Sequence, residues 1–187
     1  MIRTQVVQVP GPTVPFEAIE VRPARPGDEE PVRRFLAGLS LRTQTLRFFT
    51  GVSRPSRTLL RALLAVDGNR DALLAVPTGT GEVVGHAMSY AREGGADVEV
   101  AIVVADEWQG MGCGARLMDA LLGRAAARGA RTAAMDVMGE NRRVLAMIRR
   151  RWPGAAMRVC SGTVEVVVRI PAAPDLNDLA NGGPRVG

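Results

Sequence analysis

Three glycines at alternate positions, Gly110, Gly112 and Gly114, mark the part of this sequence best suited to bind a ligand. A run of β-forming residues at 97–104 precedes them, and the three-to-four apolar spacing of an amphipathic helix follows. The first amides of a helix lack intrahelical partners, and the helix dipole favours negative charge at that end. Glycine also lets the backbone approach a phosphate closely, because it has no Cβ. The stretch therefore predicts a strand, a glycine-rich loop and a helix that together bind a diphosphate.

The spacing of these glycines excludes two common phosphate-binding motifs. Ala115 stands where the dinucleotide pattern G-x-G-x-x-G would need its third glycine after Gly110 and Gly112. No Gly-Lys-Ser/Thr sequence is present, so the chain has no P-loop. The residues instead form the pattern Gln109-x-x-Gly112-x-Gly114. The structural alternative to a phosphate-binding loop here is an ordinary tight turn between a strand and a helix.

Length and composition indicate one globular domain. A chain of 187 residues can bury a real core, and 47% hydrophobic with 23% charged residues is ordinary for a soluble protein. Without an apolar run of membrane-span length or a signal pattern, we expect a cytoplasmic protein with no membrane contact. Cys113 and Cys160 lack metal-type spacing and suit a reduced compartment. His86 is the only histidine, so we expect no metal site.

The basic residues are unusual, because all 24 are arginine and none is lysine. A general bias toward Arg, Ala, Gly, Val and Pro accounts for most of this pattern. Arginine nevertheless binds phosphates and carboxylates through two parallel hydrogen bonds, which suits an anionic ligand. Nucleic acid is the alternative partner for a chain of net charge +5. With only 4% aromatic residues and no helix-turn-helix pattern, we expect no nucleic-acid binding.

The periodicities predict a strand, two or three helices, three strands, a helix, a strand, a helix and two strands, in that order. Residues 1–17 are predicted to form an extended arm, and the tail at 171–187 to be disordered. The predicted helices begin after Asp28, Ser40, Ser56, the glycine loop and Asn141. The predicted strands cover residues 18–22, 71–76, 82–90, 97–104, 132–138, 157–160 and 163–170.

This order, together with the glycine loop, resembles the GNAT superfamily of N-acetyltransferases over residues 18–170. The sequences VRPARPGD at 21–28, LS at 39–40 and LRFF at 46–49 are similar to the Pat-type bacterial protein lysine acetyltransferases. The resemblance implies an α/β (α+β) fold with a central mixed, mostly antiparallel sheet and helices on both faces. It also implies acetyl transfer from acetyl-CoA to a lysine of a protein, such as an acyl-CoA synthetase or a stress protein. The chain would act as a monomer or a homodimer.

The resemblance also assigns a general base. An amine must be neutral to attack a thioester, yet lysine is almost wholly protonated at pH 7, so a carboxylate usually takes the proton. Glu99-Val100-Ala101 matches the Pat-like motif that carries this base. Asp97 is the alternative base, because strand alternation places it on the same face as Glu99.

The coenzyme contacts implied by the resemblance are mostly main-chain groups. Those of Ala101, Ile102 and Val103 would pair with the pantetheine arm, with one N–H facing the thioester oxygen. Asn141 would reach the coenzyme with its side-chain amide, and it is also suited to be a helix N-cap. The diphosphate would lie on the amides of Gln109, Gly110, Met111, Gly112, Cys113 and Gly114.

Several further residues have structural and functional interpretations. The family's tyrosine general acid aligns with Ile148 or a neighbour, and we expect the only tyrosine, Tyr90, to be a packing residue. A CoA thiolate is stable enough to leave without a dedicated acid. Trp108 and the methionines are expected in the core. We expect a solvated helix face, or one coenzyme-phosphate ligand, among Arg142, Arg143, Arg149, Arg150 and Arg151.

Two other functions remain open at this stage. The chain could acetylate a small amine such as an aminoglycoside, a polyamine or an amino acid. It could also be a non-catalytic sensor that binds acyl-CoA. An acyl-cysteine mechanism at Cys113 is disfavoured, because the motif uses the amide of this residue and not its sulfur.

Overall fold

The computed structural model describes residues 19–52, 54–92 and 94–171. The predicted arm and most of the predicted tail lie outside these residues. The predicted order of elements is confirmed, with three helices between the first two strands. The helices are α1 Glu29–Gly38, α2 Leu41–Phe48, α3 Arg57–Leu63, α4 Cys113–Ala127 and α5 Arg142–Arg151. The strands are β1 Ile19–Pro23, β2 Arg70–Pro77, β3 Gly85–Ala91, β4 Asp97–Val104, β5 Thr132–Met138, β6 Ala156–Cys160 and β7 Thr163–Arg169.

The described strands form one sheet of seven, in the order β1-β2-β3-β4-β5-β7-β6. Only the β4–β5 pair is parallel, so the sheet is mixed and mostly antiparallel, as predicted. The predicted strand at 82–90 begins later, at Gly85, because Val84 pairs irregularly. Its N–H donates to Ala75 O at 2.9 Å, although Gly85 is the residue in register with Ala75.

Helices cover both faces of the sheet, as predicted. Gly85 faces α4 so closely that a methyl group there would lie 2.8 Å from Leu117 Cδ1. His86, the next residue, points to the opposite face. Its ring Nε2 lies 2.8 Å from the carbonyl oxygen of Leu63, at the end of α3. The close approach of α4 to β3 therefore requires glycine at position 85.

The predicted helix caps are confirmed in three cases. Ser40 Oγ accepts a hydrogen bond from Thr43 N at 3.2 Å, and Ser56 Oγ accepts one from the third residue of its own helix at 3.1 Å. Asn141 Oδ1 accepts one from Val144 N at 3.3 Å. These side chains satisfy amides that the first turn of a helix leaves without partners.

The strands β4 and β5 separate part of the way along their length. They pair only where 97–99 lies beside 132–134. Beyond Glu99, β4 continues alongside β3 to Val104, whereas β5 continues alongside β7 to Met138. The sheet therefore opens between β4 and β5, and residues 100–104 present alternate main-chain groups to the opening.

Candidate active site

A cavity of about 920 Å³ lies where β4 and β5 separate. Its walls include residues 99–104 of β4, residues 134–137 of β5, the glycine loop and one side of α5. A cavity at the upper end of the usual range for small-molecule sites suits a long ligand. The glycine loop lies at the cavity together with the β4 main chain.

Gly110, Gly112 and Gly114 of the glycine loop line this cavity, whereas Met111 and Cys113 are absent from its lining. The amides of residues 110–114 donate no hydrogen bond to any residue that the structure describes. Gly110 and Gly112 have φ angles of 83° and 84°, in the left-handed region that favours glycine. Gly114 has an ordinary φ, and a methyl group there would lie at a normal 3.6 Å from Val104 Cγ2. Only the first two glycines are therefore needed to shape this anion cradle.

Gln109 differs from the rest of the predicted diphosphate loop. Its amide N–H donates to Asp106 O at 3.3 Å. Its side-chain Nε2 donates to Thr43 Oγ1 at 3.2 Å and to Val104 O at 3.1 Å. Gln109 lines the cavity and braces the loop against α2 and β4, and the amides of residues 110–114 remain as the predicted anion cradle.

Asp106 also joins the loop to the start of α2. Its carboxylate accepts hydrogen bonds from Ser40 N at 2.9 Å, Ser40 Oγ at 2.8 Å and Thr43 Oγ1 at 2.7 Å. Burial raises the pKa of Asp106, but these hydrogen bonds outweigh it and hold the pKa below its usual range. The ionised carboxylate therefore stabilises the attachment of the loop.

Asp106→Asn should destabilise the fold by about 1 kcal/mol, because the amide nitrogen of asparagine can only donate and would face the donors that now bind the carboxylate. The loss is limited because the site is partly exposed to water. Urea unfolding at neutral pH measures the loss, with the exposed neighbour variant Glu107→Gln as the control. A lowered pKa means that the carboxylate stabilises the fold at neutral pH and loses this effect as pH falls below the usual 3.8. The difference from wild type should therefore shrink in acid. Equal stability of both proteins at pH 7 would contradict this role.

The two candidate bases are placed differently. Glu99 lines the cavity, whereas Asp97 is absent from its lining and accepts a hydrogen bond from the Thr132 hydroxyl. Glu99 Oε1 accepts hydrogen bonds from Arg92, at 2.9 Å from Nε and 2.6 Å from Nη2. Both side chains are about half exposed, at 48% for Arg92 and 56% for Glu99, so the ion pair contributes little to stability. An incoming amine could open it at small cost.

The predicted coenzyme residues outside the loop also reach the cavity. Ala101, Ile102 and Val103 line it, on the part of β4 that has no β5 neighbour. Asn141 lines it too, while capping α5. The structure thus brings together Glu99, the β4 main chain, the glycine loop and Asn141.

The arginines of α5 do not form a uniformly solvated face. Arg143, Arg150 and Arg151 line the cavity, whereas Arg142 and Arg149 are exposed outside it. Arg143 lies over the glycine loop, because a methyl group on Gly110 would come within 2.5 Å of its Nη2. This position favours the alternative prediction that one arginine of the helix holds the coenzyme phosphates.

The prediction that Tyr90 is a packing residue is wrong. Its side chain is 49% exposed, it lines the cavity, and it is the cross-strand partner of Glu99. The small residues at 85, 87 and 89 face α4, so strand alternation places Tyr90 on the opposite face. The alternation of small and large residues along this strand could therefore have predicted that Tyr90 faces away from α4. Ile148, by contrast, is fully buried and has no proton to donate.

Trp108 and Met118 are buried, as predicted for the core. Met147 is 37% exposed and lines the cavity, so the core prediction is wrong for it. Met88 and Met135 are partly buried and also line the cavity. Flexible methionines of this kind adapt to the shape of an apolar ligand.

Cys113 is unsuited to covalent catalysis. Its side chain is 1% exposed, and burial raises the pKa of its thiol to about 11, although the charge of Arg116 acts in the opposite direction. At neutral pH nearly all of this thiol is protonated, and the thiolate is the reactive species. The burial of this thiol disfavours an acyl-cysteine mechanism, and a role for the Cys113 amide remains a prediction.

Iodoacetamide at pH 8 should modify only one of the two cysteines of the native chain. Cys160 is exposed, whereas the buried Cys113 has its pKa raised to about 11. Intact-mass measurement should show one adduct on the native chain and two after unfolding in guanidinium. The control variant Cys160→Ser should gain none while folded. Rapid modification of native Cys113 would contradict the placement of its thiol.

The part of the chain that the structure describes contains no group of three or more His, Cys, Asp or Glu side chains arranged to hold a metal ion. None of its helices is both long and apolar enough to cross a bilayer.

Sequence comparison identifies relatives of this chain. Residues 41–151 match the model of the acetyltransferase (GNAT) family. Acetyltransferase Pat of Mycolicibacterium smegmatis is 33% identical over an alignment of 168 residues, which covers 84% of this chain and 49% of Pat. The chain thus spans about half the length of this relative.

Structural comparison finds the same fold in solved proteins. The GNAT domain of S. lividans PAT has a TM-score of 0.73 and 23% identity, over 81% of this chain and 90% of that one. A cAMP-binding acyltransferase from Mycobacterium smegmatis has a TM-score of 0.54 and 29% identity, over 86% and 48%. Spermidine N-acetyltransferase from Vibrio cholerae, solved with CoA and spermine, has a TM-score of 0.64 and 14% identity, over 82% and 96%.

Proposed function

The chain belongs to the GNAT family of acetyltransferases, and from this we propose that it transfers an acetyl group from acetyl-CoA to the ε-amine of lysine in a protein. The observation that carries the proposal is the continuity of one cavity. It runs along β4 from the amide cradle at 110–114 to the carboxylate of Glu99. A cradle for a diphosphate and a base for an amine thus lie on the same path.

The donor would occupy the side of the cavity formed by the loop and the opening in the sheet. Its diphosphate would accept hydrogen bonds from the amides of 110–114, with the guanidinium of Arg143 over the loop. Its pantetheine arm would lie along Ala101, Ile102 and Val103, where β4 lacks a β5 neighbour. Asn141 would contact it from the start of α5. A main-chain N–H of β4 would stabilise the oxyanion that forms on the thioester oxygen.

Glu99 would activate the acceptor. The amine nitrogen, after giving a proton to Glu99 directly or through water, attacks the thioester carbonyl carbon. The tetrahedral intermediate then collapses, the C–S bond breaks, and CoA leaves as a thiolate that water can protonate. No dedicated general acid is required, which agrees with Ile148 at the position where the family often has tyrosine.

The charge at the acceptor end supports a cationic acceptor. Glu99, Asp136 and Glu165 all line the cavity. They also share one face of the sheet, because Asp136 pairs with Glu165 and lies two residues after Ala134, the partner of Glu99. Carboxylates on this face would attract a protonated lysine before its proton is removed.

Similarity to Pat-type enzymes at 21–28, 39–40 and 46–49 favours a protein acceptor over a small amine. The fold is shared with a spermidine acetyltransferase at only 14% identity, so a polyamine is the alternative acceptor. The whole activity is proposed from a chain that covers about half of Pat.

Acetyl-CoA turnover with several acceptors tests the proposal. Free CoA release would be measured with an acyl-CoA synthetase, a lysine peptide and spermidine, and acetyl-lysine would be located by mass spectrometry. Because this chain has no lysine, every acetyl-lysine found belongs to the acceptor. We expect turnover on the protein or peptide. Preference for spermidine would indicate a polyamine acceptor in place of protein lysine. Tight acetyl-CoA binding without turnover on any amine would indicate a sensor.

A further inference from the structure

Arg47, in the last turn of α2, carries a charge that no other described residue neutralises. Its Nε is buried without a hydrogen-bond partner in the part of the chain that the structure describes. The eight ion pairs among the described residues all use other arginines. Its guanidinium carbon lies 4.8 Å from the centre of the adjacent Phe48 ring. A cation–π contact of this kind replaces only part of the lost hydration.

The side chain of Arg47 is partly buried: the residue retains some exposure to solvent, whereas its Nε has none. Burial lowers the pKa of Arg47 to about 10, which still leaves the guanidinium protonated at neutral pH. A buried charge normally has an opposite charge or several hydrogen bonds beside it, because desolvation is otherwise uncompensated. The unpaired guanidinium of Arg47 is explained if a bound ligand supplies an anion that pairs with it.

His86 is close enough to Arg47 for their charges to interact, but its ring supplies no negative charge to compensate the guanidinium. Its ring Nε2 lies 2.8 Å from Leu63 O, and a carbonyl can only accept, so Nε2 carries the proton. The other ring nitrogen, Nδ1, is a buried acceptor without a partner among the described residues. Burial lowers the pKa of His86 to about 4, and the charge of Arg47 adds to this shift, so the ring is neutral. A water between the two could satisfy Nε of Arg47 and leave its charge unpaired.

Arg47 lines the same cavity as Glu99 and the glycine loop. Its charge also acts on His86, the cross-strand partner of Val103, while Met88, Tyr90 and Glu99 line the cavity further along the strands. These three side chains share one face of β3 and β4, because Met88 pairs with Ala101 and Tyr90 pairs with Glu99. Helix α2, which carries Arg47, packs on β4. A ligand that lies along β4 in this cavity would therefore pass Arg47.

The carboxylates of the cavity lining are committed elsewhere or belong to other elements. Glu99 is held by Arg92 at 2.6 Å, and Glu165 is held by Arg158 at 2.7 Å. Asp136 belongs to β5 and has no ion pair with Arg47. The lining therefore provides acidic groups for a cationic amine. Among the described residues, three of its arginines, Arg47, Arg143 and Arg150, have no ion pair, and of these only Arg47 has a buried nitrogen without a partner.

We propose that Arg47 binds a carboxylate that a substrate brings into this cavity. The carboxylate could be the terminal group of a dicarboxylic acyl chain on CoA, or a group of the acceptor close to its amine. A guanidinium can bind either through two parallel hydrogen bonds. This inference rests on the proposed acyltransferase function and names a substrate feature of the same site.

Arg47→Met removes the charge and keeps much of the side-chain volume. If Arg47 awaits a ligand, the unliganded variant should be as stable as wild type or more stable, because an uncompensated buried charge has been removed. If Arg47 only supports the fold, the variant should melt at a lower temperature. Arg42→Met, an exposed arginine of the same helix outside the cavity lining, is the matched control.

Two substrate pairs identify the source of the carboxylate. For the donor, calorimetry compares succinyl-CoA with acetyl-CoA. For the acceptor, calorimetry on the CoA-loaded chain compares Nα-acetyl-lysine with Nα-acetyl-lysinamide, which lacks the carboxylate. Wild type should favour the carboxylate-bearing member of one pair by about 10- to 100-fold, the effect of a hydrogen bond to a charged group. Arg47→Met should lose this preference and bind the uncharged member as wild type does, whereas Arg42→Met should keep the preference.

Equal affinity of wild type for both members of both pairs would overturn the proposal. So would a destabilised Arg47→Met variant that retains the wild-type preference. The two measurements are ligand affinity and melting temperature, and neither requires that an amine be acetylated. In that case the proposed transferase function fails while the role of Arg47 is still decided.

Discussion

Gly112→Glu should abolish acetyl-CoA binding and leave the fold intact. Gly112 is the N-cap of α4 with φ at 84°, in the centre of the amides that form the anion cradle. A glutamate there places a carboxylate where the diphosphate is expected, and like charges side by side cost several kcal/mol. Affinity should therefore fall by more than about 100-fold. Calorimetry with acetyl-CoA measures the loss, and circular dichroism verifies the fold.

Gly112→Ala separates charge from backbone strain in this experiment. Alanine meets the same left-handed φ, at a strain of about 1–3 kcal/mol, but adds no charge. It should lower stability while retaining measurable acetyl-CoA binding. If the glutamate variant binds acetyl-CoA as wild type does, the loop is not the diphosphate site.

Glu99→Gln should reduce turnover by roughly 10²–10⁴, the usual contribution of a general base. Acetyl-CoA affinity should change little, because Glu99 lies outside the amide cradle. Raising the pH should restore part of the rate, since a larger fraction of the acceptor amine is then already neutral. Steady-state CoA release across pH 7–10 measures both effects.

Asp97→Asn is the matched control for this base. Asp97 is on the same strand face, but it is hydrogen-bonded to Thr132 and outside the cavity lining. It should retain nearly all activity. A normal rate for Glu99→Gln at pH 7, or an equal defect in Asp97→Asn, would remove Glu99 from the role of base.

Local patterns were sufficient to predict most of the fold. The apolar periodicities gave the order of helices and strands, and short polar side chains at 40, 56 and 141 gave the helix starts. Gly110 and Gly112 were proposed because glycine lets the backbone approach a phosphate, and both have the left-handed φ that favours glycine. Glu99 was proposed from the family resemblance, because strand alternation places Asp97 on the same face, and its role as base remains a prediction.

The separation of β4 from β5 could not be predicted from local pattern. The residues of β4 change from alternating polar and apolar at 97–99 to continuously apolar at 100–104, but this pattern does not say which strand lies beside them. The gap depends instead on β5 following β7 for all seven of its residues. Such long-range register is invisible to periodicity.

Helix α2 explains why Arg47 was missed. Leu41 is 70% exposed, whereas the polar Gln44 is 4% exposed, which reverses the usual pattern of an amphipathic helix. Gln44 is buried because its Nε2 donates to Leu39 O at 2.9 Å and its Oε1 accepts from Val52 N at 2.6 Å. Because polar contacts hold this helix in place, hydropathy does not reveal which of its faces is buried. The partial burial of Arg47 is therefore evident only from the structure.

The hydrogen bonds of Asp106 have a consequence for how strongly the two substrates affect each other's binding. They attach the glycine loop to the first turn of α2, and the last turn of the same eight-residue helix carries Arg47. A donor on the loop that restricts the motion of α2 would leave less conformational entropy to be lost when the acceptor binds. We therefore expect positive cooperativity between the two substrates. Linkage makes this coupling reciprocal, so saturating acceptor should raise the affinity for CoA by the same factor in calorimetry, and independent binding would exclude the coupling.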